Sequence, residues 1–196
     1  MQTPIVFIGP MCTGKSTLAR LLAEELNLPR VELDEVRWDF YNEAGYEDRA
    51  ARVAFDQGGT SAFLAYCKPF EVHAVERVLR SHPDSVIDFG AGHTVQDNPD
   101  HAARIARALA PLSNIFLPLP APDPERCVQV LNARLRELLQ REVGSVDKDV
   151  LELNATFVRH PANQVLAKHI LYTEGETPQE TCQRVMALLQ PSPHLP

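Results

Sequence analysis

The stretch "IGPMCTGKST", residues 8–17, decides the fold. Residues Gly9 to Ser16 fit G-x-x-x-x-G-K-[ST], with an apolar run "IVFIG" (5–9) before them and an amphipathic run "KSTLARLLAEEL" (15–26) after. Strand, glycine loop and helix in that order are what a phosphate cradle requires. Gly9 and Gly14 let backbone amides turn inward around a β-phosphate, and the helix N-terminus adds partial positive charge. Lys15 then bridges the β- and γ-phosphates, while the Ser16 hydroxyl ligates Mg²⁺. Gly9, Pro10, Met11, Cys12, Thr13, Gly14, Lys15, Ser16 and Thr17 are therefore the expected nucleotide-binding segment. The competing reading is a glycine turn with an accidental lysine, which the strand-to-helix context disfavours.

Outward from this segment, short apolar runs alternate with longer amphipathic ones. "RVEL" (30–33), "SVIDFG" (85–90), "NIFLPLP" (114–120) and "KHILYT" (168–173) read as strands. "PDHAARIARALA" (99–110), "PERCVQVLNARLRELLQ" (124–140) and "PQETCQRVMALLQ" (178–190) read as helices. This βα rhythm predicts a parallel sheet covered by helices on both faces. Asp123-Pro124 and Thr177-Pro178 mark helix starts, an N-cap oxygen preceding a residue with no amide to satisfy. Residues 35–80 and 141–166 lack so clear a period, and "PSPHLP" (191–196) reads as a loose tail.

A chain of 196 residues, 44% hydrophobic and without a long uncharged apolar run, predicts one domain and no membrane span. The N-terminus lacks a basic region and a small-residue cleavage site, so a cytoplasmic protein is expected. The formal net charge of -7 argues against nucleic acid as a partner. Four cysteines without C-x-x-C or zinc-ligand spacing suggest reduced thiols and no zinc.

Further chemistry is expected where strands end. Glu32 and Asp34 lie two apart, hence on the same face of an extended segment opening toward the ligand crevice. Glu32 would reach Mg²⁺ through water, and Asp34 would orient or deprotonate an incoming hydroxyl. The alternative is an exposed turn with Asp34 as a helix N-cap. Asp88 is either a Mg²⁺ partner or turned away from the metal. Gly90 and Gly92 either admit an acceptor closely or form a tight strand-to-helix turn.

These residues resemble the shikimate kinase family and its relatives among small-molecule kinases. In that family an aspartate pair D-x-D stands in the place of Glu32 and Asp34, and a G-G-G loop in the place of Gly90-Ala91-Gly92. The resemblance implies a three-layer α/β/α P-loop kinase fold with five parallel strands in the order 2-3-1-4-5 and a helical lid. It further implies ATP and Mg²⁺, a single kinase domain over residues 1–196, an acceptor-binding insertion at about 35–82 and a lid region at about 132–160. By the same analogy Arg134 stacks on adenine beside "TEGETP" (173–178), Arg136 is a closing catalytic arginine, and "RHPANQVLA" (159–167) makes Arg159 an acceptor-binding residue. The alternative for these lid arginines is a solvated face paired with Glu137 and Glu142.

Departures from the family narrow the acceptor. An F-R-x-x-E segment supplies the carboxylate-binding arginine there, whereas "FEVHAVE" (70–76) has Glu71 at that place. The aromatic-rich insertion also differs, and its rings read mostly as core. The expected protein is an ATP-dependent phosphotransferase acting on a hydroxylated small molecule other than shikimate, as a monomer or weak homodimer. The alternatives are an antibiotic, nucleoside or sugar kinase of a neighbouring branch, or a nucleotide-hydrolysing switch without an acceptor.

Overall fold

A computed structural model describes residues 4–189. The five expected strands are β1 (Ile5–Phe7), β2 (Arg30–Glu32), β3 (Val86–Asp88), β4 (Ile115–Leu119) and β5 (His169–Tyr172). They form one sheet in the order β2-β3-β1-β4-β5. Every neighbouring pair is parallel. Among the described residues eight helices surround it: α1 (Lys15–Leu26), α2 (Leu33–Glu43), α3 (Asp48–Ser81), α4 (Pro99–Leu109), α5 (Pro124–Glu142), α6 (Lys148–Arg159), α7 (Ala162–Leu166) and α8 (Pro178–Leu188).

Side chains alternating along β1 build two cores. Ile5 and Phe7 join Leu18, Leu22, Val86, Phe116 and Val185 on the face covered by α1 and α8. Val6 and Ile8 point the other way, joining Val31, Ile87, Leu117, Val75 and Leu131. All of β1 is fully buried, as a central parallel strand covered on both faces must be. The two caps read from the sequence hold. Asp123 accepts from the Glu125 and Arg126 amides, and Thr177 forms a reciprocal capping box with Glu180.

Residues 35–82 become α2 and the long α3, which is kinked at Gly58-Gly59. Trp38, Tyr41, Tyr46, Tyr66 and Phe70 pack ring to ring between them, with centroids 5.2–5.8 Å apart. Tyr41, Tyr46, Tyr66 and Phe70 extend the sheet core into the insertion, while Trp38 and Phe55 are exposed. The C-terminal "PSPHLP" lies outside the described residues.

The helix α2 corrects one expectation. β2 stops at Glu32 and the helix begins at Leu33, so Glu32 and Asp34 do not share the face of a strand. Asp34 is not the N-cap either. That position belongs to Glu32, whose side chain makes no capping bond, and Asp34 stands inside the first helical turn.

Candidate active site

The loop after β1 has the shape of an anion cradle. Gly9 has φ 131°, and a Cβ there would lie 2.7 Å from Leu117 Cδ1, so only glycine fits. Cys12 is held in the left-handed region at φ 61°, unusual for a residue with a side chain. Gly14 caps α1, leaving Ser16 and Thr17 exposed in its first turn. Thr13 is buried and donates to the Pro10 carbonyl at 3.3 Å.

Lys15 lies buried beneath this loop, its Nζ donating to the Pro10 carbonyl at 2.7 Å. Burial pushes its pKa down to about 8, against the upward pull of Asp34 and Asp88. An ammonium with one carbonyl partner and two facing carboxylates is poised for a strongly anionic ligand. Burial also raises the Cys12 thiol, with Lys15 and Arg134 pulling it back.

Asp88 ends β3 in register with Glu32 on β2 and Phe7 on β1. Its Oδ2 lies 3.4 Å from Arg30 Nη2, and its buried Oδ1 has no partner. Glu32 pairs with the same guanidinium at 2.7 Å. Burial and then Asp88 push the Glu32 carboxyl up, and Arg30 opposes them. Among the described residues no cluster of three or more His, Cys, Asp or Glu forms a metal cage. An unpartnered carboxylate oxygen beside a hydroxyl-bearing phosphate loop fits Mg²⁺, which keeps waters and binds through one or two carboxylates plus phosphates. Ser16 and Asp88, with Glu32 behind them, are the residues that would hold it.

Asp34 faces the loop after β3. A Cβ at Gly90 would sit 2.4 Å from Asp34 Oδ1, so the glycine is what lets the carboxylate approach. Arg37, one turn along α2, donates to Asp34 Oδ1 at 2.8 Å and stacks over Trp38 at 4.7 Å. Beyond them Glu71 is buried, and Lys68 is bound to its Oε2 at 2.8 Å, to the Gly92 carbonyl at 3.1 Å and to the Val95 carbonyl at 2.9 Å. Three ammonium protons meet three acceptors, and Lys68 has no donor left over. Gln96 donates to the same Glu71 oxygen at 3.1 Å. His93, next to Ala91 and Gly92, is buried against the Gly90 carbonyl, and burial lowers its pKa.

The lid residues separate by helix geometry. Arg134 Nη1 reaches the Cys12 carbonyl at 3.3 Å, so that face of α5 looks onto the phosphate loop. The Glu174 carboxyl is drawn down chiefly by Arg126, with a smaller pull from Arg134. Arg136, two residues on, is turned by about 200° to the far side. Arg141, seven residues on, returns to within about 20° of Arg134. It pairs with Glu142 at 3.4 Å. Arg159 donates from Nε and Nη2 to the two carboxylate oxygens of Glu125, each at 2.8 Å.

Three residues that the sequence reading passed over belong here. Asn154, fully buried on α6, accepts from the Met11 amide at 2.8 Å and donates to Asn132 Oδ1 at 3.0 Å. Lys68 closes the glycine loop. Asn154 had a visible signal, since Leu151, Asn154, Ala155 and Val158 follow helical i, i+3, i+4, i+7 spacing, placing a polar residue in an apolar stripe.

Sheet order, phosphate loop and facing carboxylates define a small P-loop kinase. The sequence profile of the family described as shikimate kinase matches residues 11–190. The chain is 30% identical over 189 residues to the shikimate kinase of Streptomyces coelicolor, covering 95% of each. A shikimate kinase from Acinetobacter baumannii, solved in complex with shikimate, superposes with TM-score 0.61 at 20% identity over 94% of this chain and 90% of that one. A gluconokinase from Sinorhizobium meliloti superposes with TM-score 0.55 at 14% identity over 95% and 91%. The protein belongs to the shikimate kinase family of ATP- and Mg²⁺-dependent phosphotransferases. Among the described residues no helix is long and apolar enough to cross a membrane.

Proposed function

We propose that this protein transfers the γ-phosphoryl group of ATP to a hydroxyl of a small molecule that carries no carboxylate, and that shikimate is not its acceptor. One observation carries the reading: Glu71 stands where the resemblance expects a carboxylate-binding arginine, and its partner Lys68 is saturated by Glu71, Gly92 and Val95. Arg159, the other expected clamp, is occupied by Glu125. With both cations occupied, neither is free to receive a carboxylate of the acceptor.

In this reading Lys15 and the amides of the phosphate loop neutralise the phosphates, and Asp34 orients or deprotonates the acceptor hydroxyl beside Gly90, Ala91 and Gly92. Arg134 serves the nucleotide. Its helical face makes Arg141, rather than Arg136, the arginine placed to close on the transferring group and exclude water. Mg²⁺ would supply charge neutralisation on the phosphates. The whole chain acts as one domain, and a cytoplasmic location suits both ATP and the four free cysteines.

A second reading rests on Arg37, whose Nε is buried without a partner beside the acceptor wall. It makes the acceptor an anion gripped from α2 instead of α3. A coupled ADP-release screen separates the two. It would contain neutral polyols, sugars, nucleosides and aminoglycosides on one side and hydroxy acids including shikimate on the other. Turnover confined to carboxylate-free hydroxyl compounds supports the first reading. Turnover confined to hydroxy acids overturns it in favour of Arg37. ATP hydrolysis as fast without acceptor as with any of them would leave a switch or ATPase.

A further inference from the structure

One peptide unit of the phosphate loop is held at both ends. The carbonyl of Pro10 accepts from Lys15 Nζ at 2.7 Å and from Thr13 Oγ1 at 3.3 Å, while the amide of Met11, the other end of that peptide, donates to Asn154 Oδ1 at 2.8 Å. A trans peptide points its C=O and N–H in opposite directions. Fixing the Met11 amide therefore fixes the direction of the carbonyl on which Lys15 rests.

Asn154 is itself held. Its Nδ2 donates to Asn132 Oδ1 at 3.0 Å, and Asn132 Nδ2 donates to the Leu151 carbonyl at 3.1 Å. Both asparagines are buried, with Asn154 fully so. The chain has one possible direction: the Met11 amide can only donate and the Leu151 carbonyl can only accept, so neither side-chain amide can flip without leaving two like groups face to face. Two helices of the lid region, α5 and α6, thus converge on a single amide of the loop.

We propose that Asn154, oriented by Asn132, is a positioning residue for nucleotide binding. It sets the peptide plane between Pro10 and Met11, and through it the resting place of Lys15 and the opening of the phosphate cradle. Asn154 makes no contact with the nucleotide in this role. Its effect is to keep the loop in the binding shape before the ligand arrives, so that ordering the loop is not charged against affinity.

The inference rests on the nucleotide site of the proposed function, and one titration series tests both separately. ADP with Mg²⁺ is titrated calorimetrically into the wild-type chain and into Asn154→Ala, Asn132→Ala, the double variant and Val158→Ala. Val158 is buried one turn along the same helix and its side chain makes no hydrogen bond, so its truncation loosens α6 without removing a member of the relay. Stoichiometry reports the folded fraction, and Kd reports the loop. Kd is expected to rise about tenfold in Asn154→Ala, the scale of one well-placed hydrogen bond. In Asn132→Ala a rise of about threefold is expected, and the double variant should match Asn154→Ala because Asn132 acts only through Asn154. Val158→Ala should keep the wild-type Kd. Unchanged Kd in Asn132→Ala and in the folded fraction of Asn154→Ala overturns the inference, as does an equal rise in Val158→Ala. A wild-type chain that fails to bind ADP would instead overturn the nucleotide reading itself.

Discussion

The two halves of the crevice treat charge in opposite ways. On the nucleotide side charge is left open: Lys15 is buried with one carbonyl partner, and Asp88 Oδ1 has none. On the acceptor side it is closed, with Asp34 bound to Arg37 and Glu71 bound to Lys68 and Gln96. A site that will receive several negative charges keeps its cation bonded to a carbonyl rather than to a carboxylate, at the cost of a lysine whose proton is already loose. A wall whose charges are already paired offers hydrogen bonds and shape.

The largest expected effect breaks the open half. Lys15→Ala should fold, because it removes a buried ammonium, yet lose phosphoryl transfer by about a thousandfold or more. Circular dichroism and ADP release on the same sample check it.

Asp34→Asn sharpens the boundary between the halves. Transfer should fall roughly 10²–10⁴-fold while ADP–Mg²⁺ affinity is kept, since the phosphate contacts come from the loop. The amide can still accept from Arg37, so melting temperature should barely change. A parallel loss of nucleotide affinity would assign Asp34 to the metal.

Gly90→Ala acts on the same carboxylate from the other side. The new Cβ would meet the end of the Asp34 side chain at 2.4–2.6 Å, and the side chain can swing away. Transfer should drop on the order of tenfold to a hundredfold, the scale of a displaced reacting group. Stability should stay within about 1 kcal/mol of wild type, as the three atoms nearest the new Cβ all belong to that side-chain end.

Legibility in the sequence followed the same division. The five strands, both proline-marked helix starts and the phosphate loop could be read because each depends on local pattern: apolar runs, an Asp or Thr before Pro, glycines at fixed spacing. Glu32 and Asp34 were misjudged because β2 is only three residues long and α2 starts at once, which changes the period under the pair from two to three or four. Lys68 and Arg159 were illegible for another reason. Lys68 and Glu71 stand at a local i,i+3 spacing, but the partners that close off the rest, Gly92, Val95 and Glu125, lie 24, 27 and 34 residues away, where no local pattern pairs them.

The smallest effect is a pH dependence of the open half. With its pKa lowered to about 8 from the ordinary 10.5, Lys15 loses its proton in the free protein within reach of ordinary buffers. Nucleotide binding favours the ammonium, so ADP affinity should be flat below pH 8 and fall above it, by at most about tenfold per pH unit. Stability without ligand moves the other way. Between pH 8 and 10.5 the unfolded chain holds more protons at this lysine than the folded one, and this group's contribution to stability rises with pH. Calorimetry at several pH values and melting curves over the same range check the two signs.

The contrast between the halves is tested most directly by two titrations in one calorimeter cell. ADP–Mg²⁺ is added to saturation, and shikimate is then titrated into the loaded protein. An open nucleotide half and a closed acceptor half predict strong heat in the first titration and no binding in the second up to about 10 mM, which bounds the affinity below about 3 kcal/mol. Saturable shikimate binding at micromolar concentration would contradict it, showing that the pairs at Asp34–Arg37 and Lys68–Glu71 open to receive a carboxylate.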